Sequence, residues 1–211
     1  ALATRTIVGQ PIGEFYGYQV VGIFQNAQEI ASSAQPNAKP GDFKYLDVTG
    51  TTGKPDGKID GLDRLPLGNP NPKFYYGLNT NWTYRQFDLT LDLQGVAKVD
   101  VYNANLGIRY GNENFSKDFY DSRWHGQGTS NTYPSANIGG GTNYLPNSFF
   151  VESGSYFRVR NAQLGYTLSD NITSRWKIKK LRVYVNAQNA INIFAYKGFS
   201  PEIGGGTTDS G

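Results

Sequence analysis

Polar and apolar residues alternate most regularly between Phe74 and Gly95, where two runs of period two are separated by only two residues. In the first run Phe74, Tyr76, Leu78, Thr80, Trp82 and Tyr84 share one face, and Tyr75, Gly77, Asn79, Asn81 and Thr83 share the other. In the second, Phe87, Leu89, Leu91 and Leu93 oppose Asp88, Thr90, Asp92 and Gln94. The pattern predicts a β-hairpin turning at Arg85-Gln86. Each arm has about the 9 to 11 residues that a tilted strand needs to cross a bilayer. Phe74, Trp82, Tyr84 and Phe87 gather toward the arm ends while Leu78, Leu89 and Leu91 fill the middle, as in a strand with one face toward lipid and the other toward water.

Two further stretches show the same period. In residues 149–168, Phe157 and Val159 oppose Arg158 and Arg160, after which Ala162, Leu164 and Tyr166 take over the apolar face. The slip near Asn161 predicts a β-bulge. In residues 179–189, Leu181, Val183, Val185 and Ala187 stand opposite Arg182, Tyr184, Asn186 and Gln188. A turn is expected over 169–177, and 191–211 reads as loop. Ahead of the hairpin, 4–8 and 15–24 are β-prone, the second alternating too weakly to span a membrane. Residues 25–41 read as an ordered surface loop with one helical turn at Ala27–Ala31, and 65–73, with three prolines, as a rigid lead into the hairpin. The alternation fades near Tyr102, and 103–147 form a connection long enough to be functional or to cover a partner. Connections therefore run long, two residues, long, short, long. That asymmetry predicts an up-and-down transmembrane barrel with short periplasmic turns and long extracellular loops.

Composition adds limits. The 211 residues include 26 Gly, 15 Tyr and 12 Phe but no Cys and no Met. Lacking Met, the chain is expected to be processed or part of a longer one. Without Cys there is no disulfide framework, thiol catalysis or thiolate metal site. The net charge of +3 is spread without a block of like charge, so neither a nucleic-acid patch nor an anchor for acidic lipid is indicated. No apolar run reaches the ~18 residues of a membrane helix. The mean hydropathy of -0.51 does not exclude a barrel, whose lumen and loops are polar.

Candidate chemistry is sparse. The tail of residues 47–64 is similar to the second half of a calcium loop: Asp56 precedes the sharp-turn Gly57, the carbonyl of Lys58 follows, and Asp60 and Asp63 take late ligand positions, with Asp47 upstream. The front half departs from that pattern, because Thr49 replaces an acid or amide and residues 51–55 are inserted. A solvated acidic loop is the alternative reading. His125 is the single histidine and has no serine motif to serve as base. Gly139-Gly140-Gly141 lacks the strand-to-helix context and following Lys of a phosphate loop. No catalytic residue is expected.

Particular wording carries a family resemblance: Gln10-Pro11-Ile12-Gly13-Glu14-Phe15-Tyr16-Gly17-Tyr18, Gly22-Ile23-Phe24-Gln25, Pro40-Gly41-Asp42, Asp60-Gly61-Leu62-Asp63-Arg64 and Gly68-Asn69-Pro70-Asn71-Pro72-Lys73-Phe74. Ser155-Tyr156-Phe157-Arg158-Val159-Arg160-Asn161, Leu164-Gly165-Tyr166, Gln188-Asn189 and Gly198-Phe199-Ser200-Pro201-Glu202 continue it in family order. The chain resembles the C-terminal part of the β-barrel of SusC/RagA-type TonB-dependent transporters. The resemblance implies a barrel of ~22 strands in the outer membrane of Bacteroidetes-type Gram-negative bacteria, working with a SusD-like lipoprotein and TonB to import oligosaccharide or peptide. It implies a piece with about six strands, lacking plug and final strand. The lumen face would comprise Asn79, Asn81, Asp88, Asp92, Arg158, Arg160, Arg182 and Asn186, lining the passage or holding the plug, and any Ca²⁺ would be structural.

Two other classes compete. A secreted β-sandwich binding carbohydrate through exposed Tyr and Trp would show similar alternation. A glycoside hydrolase needs two carboxylates at a set separation, and no spacing singles out a pair.

Overall fold

The computed structural model describes residues 3–106, 114–136, 141–198 and 200–201. Gly139, Gly140, Phe199 and Glu202 fall outside them. The chain forms two units, Ala1–Asn71 with Asp100–Glu152, and Pro72–Val99 with Ser153–Gly211.

In chain order the strands are β1 (Thr4–Arg5), β2 (Glu14–Tyr18), β3 (Val20–Ile23), β4 (Phe43–Tyr45), β5 (Arg64–Gly68), β6 (Phe74–Tyr84), β7 (Phe87–Ala97), β8 (Asp100–Tyr102), β9 (Arg123–Trp124), β10 (Tyr133–Ser135), β11 (Val151–Ser153), β12 (Tyr156–Thr167) and β13 (Arg182–Phe194). Three short helices, α1 (Ala27–Ala31), α2 (Lys117–Ser122) and α3 (Asp170–Thr173), lie between them. The α1 turn falls where expected because Asn26 caps it, its side chain accepting from Glu29 N–H at 3.0 Å.

The second unit is a four-stranded antiparallel sheet in the order β13-β12-β7-β6. The hairpin has the expected arms, Phe74 opposite Ala97 through Tyr84 opposite Phe87. Its turn is tight because Arg85 takes a left-handed φ of 52°. Of about six strands expected, four are long; β13 also runs to Phe194, past the loop boundary expected at residue 191. Ile191 and Ile193 keep the odd-numbered phase of Val183, Val185 and Ala187, so the apolar face continues to the end of the strand. The expected turn is longer than 169–177: Leu168 N–H still donates to Leu181 C=O at 2.9 Å, and α3 lies between.

The first unit holds the short strands. A β1-β2-β5 sheet and a β3-β4 pair are antiparallel, while β9 and β10 pair in parallel over two residues each and Tyr18 makes an isolated parallel bridge with Asn147. The stretch 15–24 is not one strand but β2 and β3, in different sheets. Tyr18, Ile23, Phe43 and Tyr45 form the core, with Val20, Ile59, Trp124, Leu145 and Phe149 packed against it. Gly17 is required by close approach, because a Cβ there would stand 2.1 Å from the Pro146 carbonyl oxygen.

Residues 103–147 were expected to be a functional or partner-covering loop, yet part of them builds this core. Asn143 accepts from Phe43 N–H at 2.8 Å, and fully buried Asn147 donates to Leu145 C=O at 2.8 Å while accepting from Phe149 N–H at 2.9 Å. Gln35 brackets β4 likewise, accepting from Tyr45 N–H at 2.7 Å and donating to Phe43 C=O at 3.0 Å. These amides satisfy backbone groups that short strands leave unpaired inside an apolar core.

Candidate functional site

Cross-strand register sorts the second unit into two faces. On one, Trp82, Leu89, Leu164 and Val185 form a row across the four strands, and Leu78, Leu93, Val159 and Ile191 form another. Leu78, Trp82, Leu164, Val185, Ile191 and Ile193 are exposed, so this apolar face is not a soluble core. Tyr76 and Tyr84, near its two rims, are eight residues apart, about 26 Å along the strand at ~3.3 Å per residue and about 20 Å of height at a barrel tilt of ~40°. An apolar band ~25 Å tall between aromatic girdles is the signature of a membrane barrel wall.

The opposite face carries all eight expected lumen residues. Asn79 stands opposite Asp92, Asn81 opposite Thr90, Arg158 opposite Gln94 and Asn186 opposite Gln163. Asp88 and Arg182 are joined across β12 by a two-pronged ion pair, Nε to Oδ1 at 2.9 Å and Nη2 to Oδ2. Both side chains are about 30% exposed, so solvent screens the pair and its contribution is geometric more than energetic. Its role is to fix the register of β7 against β13. Arg158 donates through Nε to Asn192, and Arg160 reaches Gln94 Oε1 at 3.3 Å.

The predicted bulge is present and is larger than the sequence suggested. Between Leu91 and Leu93 lies Asp92 alone; between their β12 partners Ala162 and Val159 lie Arg160 and Asn161. Between the next partners, Ala187 and Ile191, lie Gln188, Asn189 and Ala190. Each strand gains one residue on the last, and Asn189 absorbs the bend with φ 50°, a conformation Asn tolerates. Asp92, Arg160, Asn161, Gln188 and Asn189 line the resulting open notch of about 300 Å³.

In the acidic loop most of the carboxylate oxygens that make hydrogen bonds accept them from backbone N–H groups. Asp63 is fully buried, accepting at Oδ1 from Val48 and Thr49 N–H at 2.8 and 3.1 Å and at Oδ2 from Asp60 N–H at 2.9 Å. Asp60 and Asp63 form a capping box around the 3-10 turn Gly61–Asp63. Asp47 accepts from Gly57 N–H at 2.8 Å, and Lys58 enters through its N–H, which donates to Asp56 at 3.1 Å. Among the described residues no three His, Asp or Glu side chains converge so as to hold a metal ion. The calcium reading gains no support from this geometry, in which the carboxylates hold backbone.

Burial pushes the Asp63 carboxyl up, but the N–H groups of Asp60, Val48 and Thr49 outweigh it and hold the group below the usual carboxylate range. With the folded pKa the lower one, the contribution to stability is complete above the unfolded value of ~3.9 and is lost as pH falls through the folded value. The Val48 and Thr49 amides are therefore expected to lose hydrogen-exchange protection below about pH 4. Asp63→Asn should already loosen them at neutral pH. Unchanged protection, corrected for intrinsic exchange, would contradict this role.

His125 is exposed, its Nδ1 3.1 Å from the Arg123 carbonyl oxygen, and no nucleophile is paired with it among the described residues. Sequence reasoning missed Gln35, Asn143 and Asn147 as structural polar groups; buried amides carry no periodic signal.

A single-layer antiparallel sheet with one apolar and one polar face defines a segment of a transmembrane β-barrel. No protein-family model matches the sequence. The chain is similar to TonB-dependent receptor P3 of Formosa agariphila, 29% identical over 197 residues, covering 92% of this chain and 19% of the receptor. Receptor P26 of the same organism is 28% identical over 202 residues, covering 94% and 20%. The chain thus spans about a fifth of the length of these curated relatives. Among solved structures it is similar in fold to the RagAB peptide importer in its open-open state, with a TM-score of 0.66, 19% identity and coverage of 96% of this chain and 21% of that one. The closed-closed state gives 0.66 and 18%. The resemblance to SusC/RagA-type TonB-dependent transporters is borne out.

Proposed function

We propose that this chain is a C-terminal stretch of barrel wall, with its attached loops, from an outer-membrane importer energised by TonB in a Bacteroidetes-type Gram-negative bacterium. The observation that carries the reading is the two-faced sheet: an apolar face for lipid and a polar face with Asp88, Asp92, Arg158, Arg160 and Arg182 toward a wet lumen. The lumen face holds the plug or lines the passage, and the chain itself has no catalytic role. TonB would act through a part of the protein outside this chain, and a SusD-like lipoprotein would close the extracellular side. The cargo class is oligosaccharide or peptide; the relatives are receptors and the structural neighbour is a peptide importer. A secreted sandwich would need a second layer over Leu78, Trp82 and Val185, and these are exposed.

Deletion of the parent gene tests the reading. Growth on particular oligosaccharides or peptides as sole nutrient should fail, return with the wild-type gene, and require TonB. Unchanged uptake of every such nutrient would overturn it.

A further inference from the structure

The connection from β12 to β13 is a folded turn with an unusual surface. Helix α3 runs into a 3-10 turn at Ser174–Trp176, and Lys177 follows in a left-handed conformation, φ 56°. Thr173, 1% exposed, pins the turn from inside, and Ile178 N–H donates back to its carbonyl at 3.1 Å. Outside stand Ile172, Trp176 and Ile178, all exposed, Trp176 by 60%. Interleaved with them are Arg175, Lys177, Lys179 and Lys180, all exposed. Among the described residues none of these four cations is in an ion pair. Asp170 is the single carboxylate of residues 168–181. The overall charge is evenly spread, yet 175–182 contains five cations, one of which, Arg182, is taken by Asp88. Thr167 N–H donates to Gln86 C=O at 2.8 Å, which ties this turn to the hairpin turn and its Arg85. The same end of the apolar face carries Tyr84, Phe87 and Tyr166, the last two rings 4.8 Å apart.

We propose that this short-turn end of the sheet binds the phosphate headgroups of anionic phospholipid in the adjoining leaflet. The inference rests on the reading that the apolar face meets lipid. A soluble acidic partner would satisfy the cations but leave three apolar side chains beside the rim of a lipid-facing surface. A headgroup layer satisfies both, since Trp rings and aliphatic tips sit at the boundary while Lys and Arg reach its phosphates. The surface is continuous with the apolar wall, and its charge is complementary to the phosphates.

The test uses the full-length parent protein in detergent micelles doped with phosphatidylglycerol or phosphatidylcholine, with retained lipid counted by native mass spectrometry. Wild type should retain phosphatidylglycerol preferentially. Arg175→Gln, Lys177→Asn, Lys179→Gln and Lys180→Gln together should reduce that preference at least tenfold, given about fivefold per cation near an anionic surface. Arg175→Lys with Lys179→Arg and Lys180→Arg should keep it, and Trp176→Ala should lower retention of both lipids. Equal retention of the two lipids by wild type, or an unchanged preference in the neutralised variant, would overturn the proposal. So would inorganic phosphate alone matching phosphatidylglycerol in raising the protein's melting temperature, since the site would then take a free anion. Normal membrane insertion of the neutralised variant would show that the barrel reading stands or falls separately.

Discussion

Leu89→Arg and Leu91→Arg are each expected to impair assembly of the full-length protein severely, whereas Thr90→Arg should leave its outer-membrane yield nearly unchanged. Leu89 sits between Trp82 and Leu164, and Leu91 between Thr80 and Ala162, on the apolar face. An arginine costs ~2 to 4 kcal/mol at mid-membrane, the depth nearer Leu91, and less toward the Phe87 rim, so the effect at Leu91 should be the larger of the two. Thr90 lies on the other face between Asn81 and Gln163, and its hydroxyl donates to Asn81 at 2.6 Å. Replacing it costs about one hydrogen bond, ~1 kcal/mol, and places the new charge in water. Quantifying folded protein in isolated outer membranes would decide the matter. Equal yields for all three variants would invert or abolish the assignment of faces.

The second large effect concerns the chain alone. Expressed without the rest of its barrel, the 211-residue polypeptide is expected to aggregate. In the sheet order β13-β12-β7-β6 the outer edges of β6 and β13 have no strand partner among the described residues. An edge at membrane depth leaves N–H and C=O groups unmet at several kcal/mol each, and in water the same edges template association. Exposed Leu78, Trp82, Val185 and Ile193 add a sticky face. Sedimentation after detergent-free refolding would measure this. A soluble monomer that melts cooperatively would refute it and restore the sandwich.

The two outcomes draw on different layers of information. That Leu89 and Thr90 face opposite ways is visible in the residues themselves, because successive side chains of any strand alternate. That β7 lies beside β12, across an excursion of more than fifty residues, is not local, and no period encodes it. The apolar rows then follow once register is set, since a slip of one residue would turn Leu164 away from Leu89.

By itself the sequence determined the hairpin, its two-residue turn, the polarity of its faces, the helical turn at Ala27–Ala31 and the existence of a bulge near Asn161. These are properties of adjacent residues, carried by alternation, capping and turn chemistry. Only the tertiary structure decided the rest. The bulge grows from one strand to the next because register accumulates across neighbours, so that two residue steps on β7 face three on β12 and four on β13. Asp63 accepts from the Val48 and Thr49 amides because folding buries it beside them, a contact no local pattern encodes. Asn143 and Asn147 enter the core because short strands need partners from distant loops. That the cations of 175–180 lie at the same end of the sheet as Tyr84, Phe87 and Tyr166 follows from the pairing of β12 with β7 and β13, which is a relation in space.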